Sequence, residues 1–330
     1  MKSLVTGGAG FIGSRVANEL LQMGHQVVVL DDLSGGFIEN VNPECVFVKG
    51  SVLDDQLLKE LFKTHKFDYV FHFAAYAAEG LSHFIKRFNY NNNLIGSVNL
   101  INESIKNKIK CFVFTSSIAV YGSAQLPMKE DMYPLPEDSY GIAKYAVEQE
   151  LKVSHEMFGL NYIIFRPHNV FGENQNIGDR YRNVIGIFMN QLLQNMPITI
   201  FGDGLQQRAF TYIGDIAPTI AKSVMFQDAY QEVFNIGADQ YCSVKELAEI
   251  VMKVMEIKGK INFLPARNEV KIAYSDHSKV TGFFGNQSKT PLETGIIKMA
   301  EWVKKVGVRK TPVFKDIEIM QNLPDIWTIE

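Results

Sequence analysis

The chain has 330 residues, with 33 Lys and Arg against 36 Asp and Glu and a formal net charge of -3. That balance gives no general attraction for nucleic acid or an anionic membrane, so an anionic ligand must be held by local groups. With 46% hydrophobic and 21% charged residues, this is ordinary globular composition, long enough for two domains or one domain with a lobe.

The N-terminus, "MKSLVTGGAG", enters an apolar strand by residue 3 and leaves no room for a signal peptide ahead of the fold. No apolar run approaches the roughly 20 residues of a membrane span. Cys45, Cys111 and Cys242 are odd in number and far apart, without a Cys-x-x-Cys, and the seven histidines include no His-Glu-x-x-His. Neither a disulfide framework nor a metal site is expected, and a cytoplasmic location is.

Strand-like runs come at 3–7 ("SLVTG"), 26–31, 45–50, 68–74, 110–116 and 161–167, nearly continuous in apolar residues as buried parallel strands are. Helical patterns fall between them near 11–23, 54–65, 86–107 and 139–158. This rhythm predicts an α/β fold, a Rossmann-type doubly wound parallel sheet, with each helix read as returning the chain to the same sheet edge. After Pro167 the rhythm changes to a polar stretch over 168–183, helices near 184–194, 214–226, 243–256 and 291–305, and strands near 198–201, 208–212 and 232–236. The expected division is a dinucleotide-binding part over 1–167, with segments returning from about 205–236, and mainly a smaller α/β substrate lobe over 168–330.

Between the first strand and helix, "VTGGAGFIGSRVANEL" places Gly7, Gly10 and Gly13, and Gly8-x-Gly10-x-x-Gly13 also fits the dinucleotide fingerprint. Such glycines permit a tight turn, close approach of backbone to a pyrophosphate and close packing of helix on strand, beside a helix N-terminus that favours phosphate. Asp31 ends the second strand 21 residues after Gly10, where a carboxylate accepts hydrogen bonds from the adenosine ribose. Asp32 follows it, and a 2′-phosphate beside two carboxylates would be repelled, so NAD is expected rather than NADP.

In "DSYGIAKYAVEQE" (138–150), Tyr140 and Lys144 lie one helical turn apart on one face, where an ammonium can favour the phenolate. The same spacing occurs by chance in many helices. The rest of the chain weighs for catalysis: with the glycine loop, "HFAA" after the fourth strand, "FTSSIAVYG" after the fifth and "YGIAK" opening the next helix, the sequence resembles the extended short-chain dehydrogenase/reductases, specifically the nucleotide-sugar 4-epimerases. The stretches 166–172 ("RPHNVFG"), 198–217 and 264–279 extend the resemblance over nearly the whole chain.

The resemblance implies a catalytic set of Ser117, Tyr140 and Lys144, with Ser117 polarising the substrate oxygen, Tyr140 as general base on a sugar hydroxyl, and Lys144 on the nicotinamide ribose. It implies NAD contacts from Gly7, Gly10, Phe11, Ile12, Gly13, Asp31, Asp32, Ser51, Val52, Phe73, Ala74, Ala75 and Pro167, with Asn92 steadying the loop after the fourth strand. For a UDP-sugar substrate it implies Asn169 and Asn183 on the phosphates or sugar, and Arg208 and Arg267 on the pyrophosphate, where guanidinium forms paired hydrogen bonds. A homodimer through the helices near 86–107 and 139–158 is implied as well.

Related 4,6-dehydratases carry an Asp-Glu pair after the catalytic Thr. Here Ile118 and Ala119 stand there, and neither transfers protons. The chain departs from the family pattern at Ser51 (usually Asp), at Ala77 (Lys in some UDP-galactose 4-epimerases) and at Ala209 (often Asp). The expected activity is NAD-dependent 4-epimerisation, by default of UDP-glucose and UDP-galactose. A 4-epimerase of another nucleotide sugar, a 4-dehydrogenase and a non-catalytic NAD sensor remain the alternatives.

Overall fold

The computed structural model describes residues 1–123, 126–267, 270–285, 289–310 and 313–327, so Asn268 and Glu269 of the 264–279 stretch lie outside the described residues. Seven parallel strands form the central sheet: β1 (Lys2–Thr6), β2 (Gln26–Asp31), β3 (Val46–Lys49), β4 (Tyr69–His72), β5 (Cys111–Thr115), β6 (Tyr162–Pro167) and β7 (Glu232–Ile236). Their order is β7-β6-β5-β4-β1-β2-β3. The expectation of one growing edge is corrected: the sheet grows outward from β1 in both directions. That reversal leaves a crevice at the C-terminal ends of β1 and β4, where α/β sheets bind ligands.

Alternation along the strands explains their apolar runs. Val5, Val29, Phe71, Val113 and Phe165 face one side; Leu4, Val28, Val70, Phe112 and Ile164 face the other, and all are buried. The second side is covered by α2 (Asp55–His65), α3 (Gly96–Lys106) and α4 (Ser139–Phe158), through Leu58, Phe62, Leu100, Val147 and Leu151. On the first side lie α1 (Phe11–Gln22), α5 (Val184–Leu193), α6 (Ile213–Lys222), α7 (Val244–Met255) and α8 (Leu292–Val306). Phe188, Leu247 and Met299 from this later half join the sheet residues in one continuous apolar cluster. No helix among the described residues is long and apolar enough to cross a membrane.

Local chemistry sets the helix ends. Asp138 caps α4 by accepting the Gly141 N–H at 2.8 Å, and Gly159, at φ 72°, ends it. Ser243 and Glu246 form a reciprocal capping box on α7. The pattern at 86–107 is not one helix: Lys86–Tyr90 and α3 flank a π-helical turn at Asn91–Ile95. Within that turn Asn93 turns its side chain back to the Tyr76 backbone, accepting its N–H at 2.8 Å and donating to its carbonyl at 3.1 Å. The short strands Val170–Phe171, Tyr241–Ser243, Ile261–Leu264 and Ile272–Ala273 escape a reading of the sequence because two to four residues show no alternation.

Candidate active site

A cleft of about 1500 Å³ opens at the crevice, and every site residue inferred from the sequence lines it. Gly7, at φ 69°, begins the phosphate turn, and a Cβ there would stand 2.6 Å from the Ala74 amide nitrogen. A Cβ on Gly13 would stand 2.2 Å from the Gly7 carbonyl oxygen, so helix and loop touch only because both positions are bare. Gly10 is the N-cap of α1 without a side-chain cap, and no acidic residue occupies the first turn, which leaves the positive helix end to an anion.

Asp31 is buried, and loss of water pushes its carboxyl above the usual range, against the hydrogen bonds it accepts from the amides of Leu33 (2.8 Å) and Ala9 (3.0 Å). Asp32 is held by the Ser34 amide at 2.9 Å. The Ser51 hydroxyl accepts from the Leu53 amide at 3.2 Å, while Val52, Phe73, Ala75 and Pro167 supply apolar wall. Asn92 faces the cleft and donates to the Asn93 Oδ1 at 3.2 Å, and Asn93 in turn holds the loop after β4 through Tyr76.

At the other end stand the reactive groups. Ser117 caps the turn at Ile118–Tyr121 through the Ala119 N–H at 3.1 Å and hydrogen bonds with the Tyr140 phenol. A Cβ on Gly141 would stand 2.6 Å from the Ala119 carbonyl oxygen, so the residue after Tyr140 lets α4 abut the Ser117 loop. The Tyr140 amide donates to Ser82 Oγ at 3.2 Å, and Asn89 holds the Ser139 carbonyl at 2.7 Å.

Lys144 is anchored to the end of β5. Its ammonium donates to the Thr115 carbonyl at 2.8 Å and lies 4.7 Å from the centre of the Phe114 ring and 5.7 Å from that of Tyr140. Burial draws its pKa down to about 7, against the opposing charge of Glu148. Burial drives the Tyr140 phenol upward, opposed by the Ser117 hydrogen bond and the Arg182 guanidinium. In the protein alone burial shifts both groups toward their uncharged forms; the expectation that the ammonium and a nicotinamide ring together favour the phenolate concerns the NAD-bound site.

Two features escape the sequence reading. Arg182 lies half-buried over the Tyr76 ring at 4.8 Å and hydrogen bonds Asp179 at 2.7 Å; its only signal is the charged run "GDRYRNV". Below Lys144, Glu148 pairs in two hydrogen bonds with the buried Arg166 and accepts the Ser116 hydroxyl; Arg166 also donates to the Tyr121 phenol at 2.7 Å. Tyr140, Lys144 and Glu148 thus follow one another at four-residue steps along α4.

In the lobe, Asn169 (φ 40°) turns its amide to the Ala209 carbonyl at 3.1 Å, and Asn183 (φ 65°) begins α5 without capping it. Arg208 spreads over the backbone carbonyls of Gln207, Val270 and Lys271, and Arg267 lies 4.6 Å over the Phe201 ring. Both line the cleft with part of their guanidinium chemistry already engaged.

A parallel sheet with its crevice at the strand reversal, a glycine turn at a bare helix end, carboxylates at the end of β2 and a Ser117-Tyr140-Lys144 set with its Tyr and Lys buried define a dinucleotide-dependent enzyme fold. The buried Thr115 Oγ1 beside Lys144 lacks a partner among the described residues, which suits a hydroxyl-bearing ligand there, and the residues present fit NAD. The chain belongs to the NAD dependent epimerase/dehydratase family, whose pattern matches residues 3–237. It is 33% identical over 322 residues to UDP-glucose 4-epimerase of Halalkalibacterium halodurans, covering 92% of this chain and 96% of that protein. The structure of UDP-glucose 4-epimerase from Thermotoga maritima with UDP-glucose superposes with a TM-score of 0.88 at 33% identity, covering 93% of this chain and 99% of that one. UDP-glucuronic acid 4-epimerase from Bacillus cereus, in complex with UDP-glucuronic acid and NAD, gives a TM-score of 0.85 at 28% identity, covering 93% and 100%. Both structures are matched almost end to end, yet 7% of this chain is left over, the length of about 23 residues.

Proposed function

We propose that the protein is an NAD-dependent nucleotide-sugar 4-epimerase, with UDP-glucose and UDP-galactose the first pair to test. The observation that carries this reading is the meeting of Ser117, Tyr140 and Lys144 at one end of a cleft whose other end is built for a dinucleotide, with Ile118 and Ala119 where a dehydratase needs an acid and a base. The likeness to UDP-sugar 4-epimerases over more than nine-tenths of the chain supports it.

Bound NAD supplies a hydride acceptor, so that C4 passes through a ketone and recovers hydrogen on the other face with no net redox change. Gly7, Gly10 and the N-terminus of α1 hold its pyrophosphate, Asp31 and Asp32 the adenosine ribose, and Thr115 and Lys144 the nicotinamide ribose. Tyr140 takes the proton of the sugar O4 hydroxyl and returns it, while Ser117 fixes that oxygen. Because burial favours the neutral phenol, positive charge beside it is needed to release its proton: Arg182 supplies some, and a nicotinamide ring the rest. Asn169, Asn183, Arg208 and Arg267 hold the nucleoside diphosphate. Residues 1–167, with β7 and α6, form the NAD-binding part, and residues from 168 onward form mainly the lobe.

The reading includes a homodimer. Ile142, Val153 and Met157 on α4 are exposed, the latter two about three and four turns beyond the first, so that they share a face, and Ile95 is exposed beside α3. A cytoplasmic location accords with free Cys45, Cys111 and Cys242.

The test is incubation with UDP-glucose, UDP-galactose and a panel of UDP-uronic and UDP-N-acetyl sugars, with C4 epimers resolved by NMR. Interconversion of one pair is expected, together with a loss of about 10³-fold in Tyr140→Phe while NAD still binds. Undiminished turnover by that variant would sink the proton-transfer role of Tyr140. NADH accumulating in proportion to substrate would indicate a dehydrogenase.

A further inference from the structure

Beyond α8 the chain does not leave the molecule but runs back across the mouth of the cleft. Arg309 lays its guanidinium 3.6 Å over the Phe37 ring, pairs with Glu39 at 2.9 Å and exchanges two backbone hydrogen bonds with the Asn190 side chain. Phe314 packs edge-on to Phe88, with ring centres 4.9 Å apart, and its amide donates to the Tyr181 hydroxyl at 3.0 Å. The Glu318 carboxylate accepts the amides of Arg87 and Phe88 at 3.0 Å each. Trp327 is 2% exposed, set between Tyr181, Phe84 and Phe201. Residues 309–310 and 313–327 thus touch the loop after β2, the segment 84–88 and the lobe, and they supply Leu323 and Trp327 to an apolar cluster of their own with Leu81, Ile85 and Tyr181.

This crossing segment also lines the cleft, through Arg309, Lys310, Val313, Lys315, Ile326 and Trp327. Three of the six are cations, and Trp327 and Arg267 both lie against Gly80, where an added Cβ would meet them at 3.3 and 3.6 Å. Of a nucleotide sugar, the diphosphate carries the negative charge, so cations on this wall favour that half.

We infer that the described residues 309–310 and 313–327 form a strap belonging to the substrate site: they close the cleft over the nucleoside diphosphate half, with Lys310 and Lys315 supplying charge and Trp327 fixing the wall that carries Arg267. This rests on the nucleotide-sugar reading above. Lys310 and Lys315 are exposed, so their removal leaves the fold intact, whereas Trp327→Ala removes a buried ring and tests the wall separately.

The experiment is calorimetric titration of the whole protein, Lys310→Ala/Lys315→Ala and Trp327→Ala with UDP and, separately, with NAD, followed by steady-state kinetics on the active sugar pair. The strap predicts UDP affinity at least tenfold weaker in the double variant, with a shallower salt dependence and unchanged NAD affinity. Trp327→Ala should raise KM about tenfold with kcat within threefold. Wild-type protein that binds UDP no more tightly than both variants overturns the strap alone; wild-type protein that binds no UDP overturns the nucleotide-sugar reading and the strap with it.

Discussion

Lys144 shows how burial and function pull on one side chain. Its pKa falls from 10.5 to about 7 in the fold, so between those values the unfolded chain binds a proton that the native state does not. Stability contributed by this group therefore rises with pH through that window, by at most about 1.4 kcal/mol per pH unit. Urea unfolding at pH 7.5 and 9.5 should show the wild type gaining on Lys144→Met as the pH rises; identical pH responses would place the ammonium in water. Glu148 is the counter-charge of Arg166. Replacing it with Gln leaves the buried Arg166 without its counter-charge, and a loss of about 3–5 kcal/mol is expected in denaturant melts. A loss under 1 kcal/mol would mean that water reaches Arg166.

At the scale of elements, the glycine turn and α1 form one fitted surface. Gly13→Ala drives a methyl group into the Gly7 carbonyl, with no flexible side chain to yield. The expected result is NAD affinity at least tenfold weaker with far-ultraviolet circular dichroism unchanged; unaltered affinity would show that the turn has slack. This turn was legible in the sequence because each glycine has its own steric reason, and the inner sheet strands were legible because both faces are buried. The direction of Lys144 was not, since Tyr-x-x-x-Lys spacing fixes a shared helix face but not whether an ammonium prefers a carbonyl to a phenol. Nor was the part played by Asn93: "YNNNLIG" reads as ordinary helix, and the π-helical turn sets Asn93 on the loop after β4 with Asn92 hydrogen bonded behind it. Arg182 and the strap stayed hidden for another reason, being defined by packing between segments more than 90 residues apart in sequence.

At the scale of the whole molecule, the exposed apolar face of α4 is where the proposed homodimer would close. Val153→Glu with Met157→Glu should shift sedimentation from dimer to monomer, and a wild type already monomeric at micromolar concentration would remove the homodimer from the reading. The two parts of one protomer are joined far more firmly than their division suggests, because Val5 and Phe71 of the sheet share a single apolar cluster with Phe188, Leu247 and Met299 of the lobe. Such a core does not open like a clamshell without exposing itself to water. In the proposed reaction a ketone that has to present its opposite face to a nicotinamide would turn inside a chamber whose walls share the protein's core. How bulky a ring substituent is tolerated then depends on the clearance built in at folding, and a mutation that widens or narrows that chamber changes the range of sugars without touching a reacting atom.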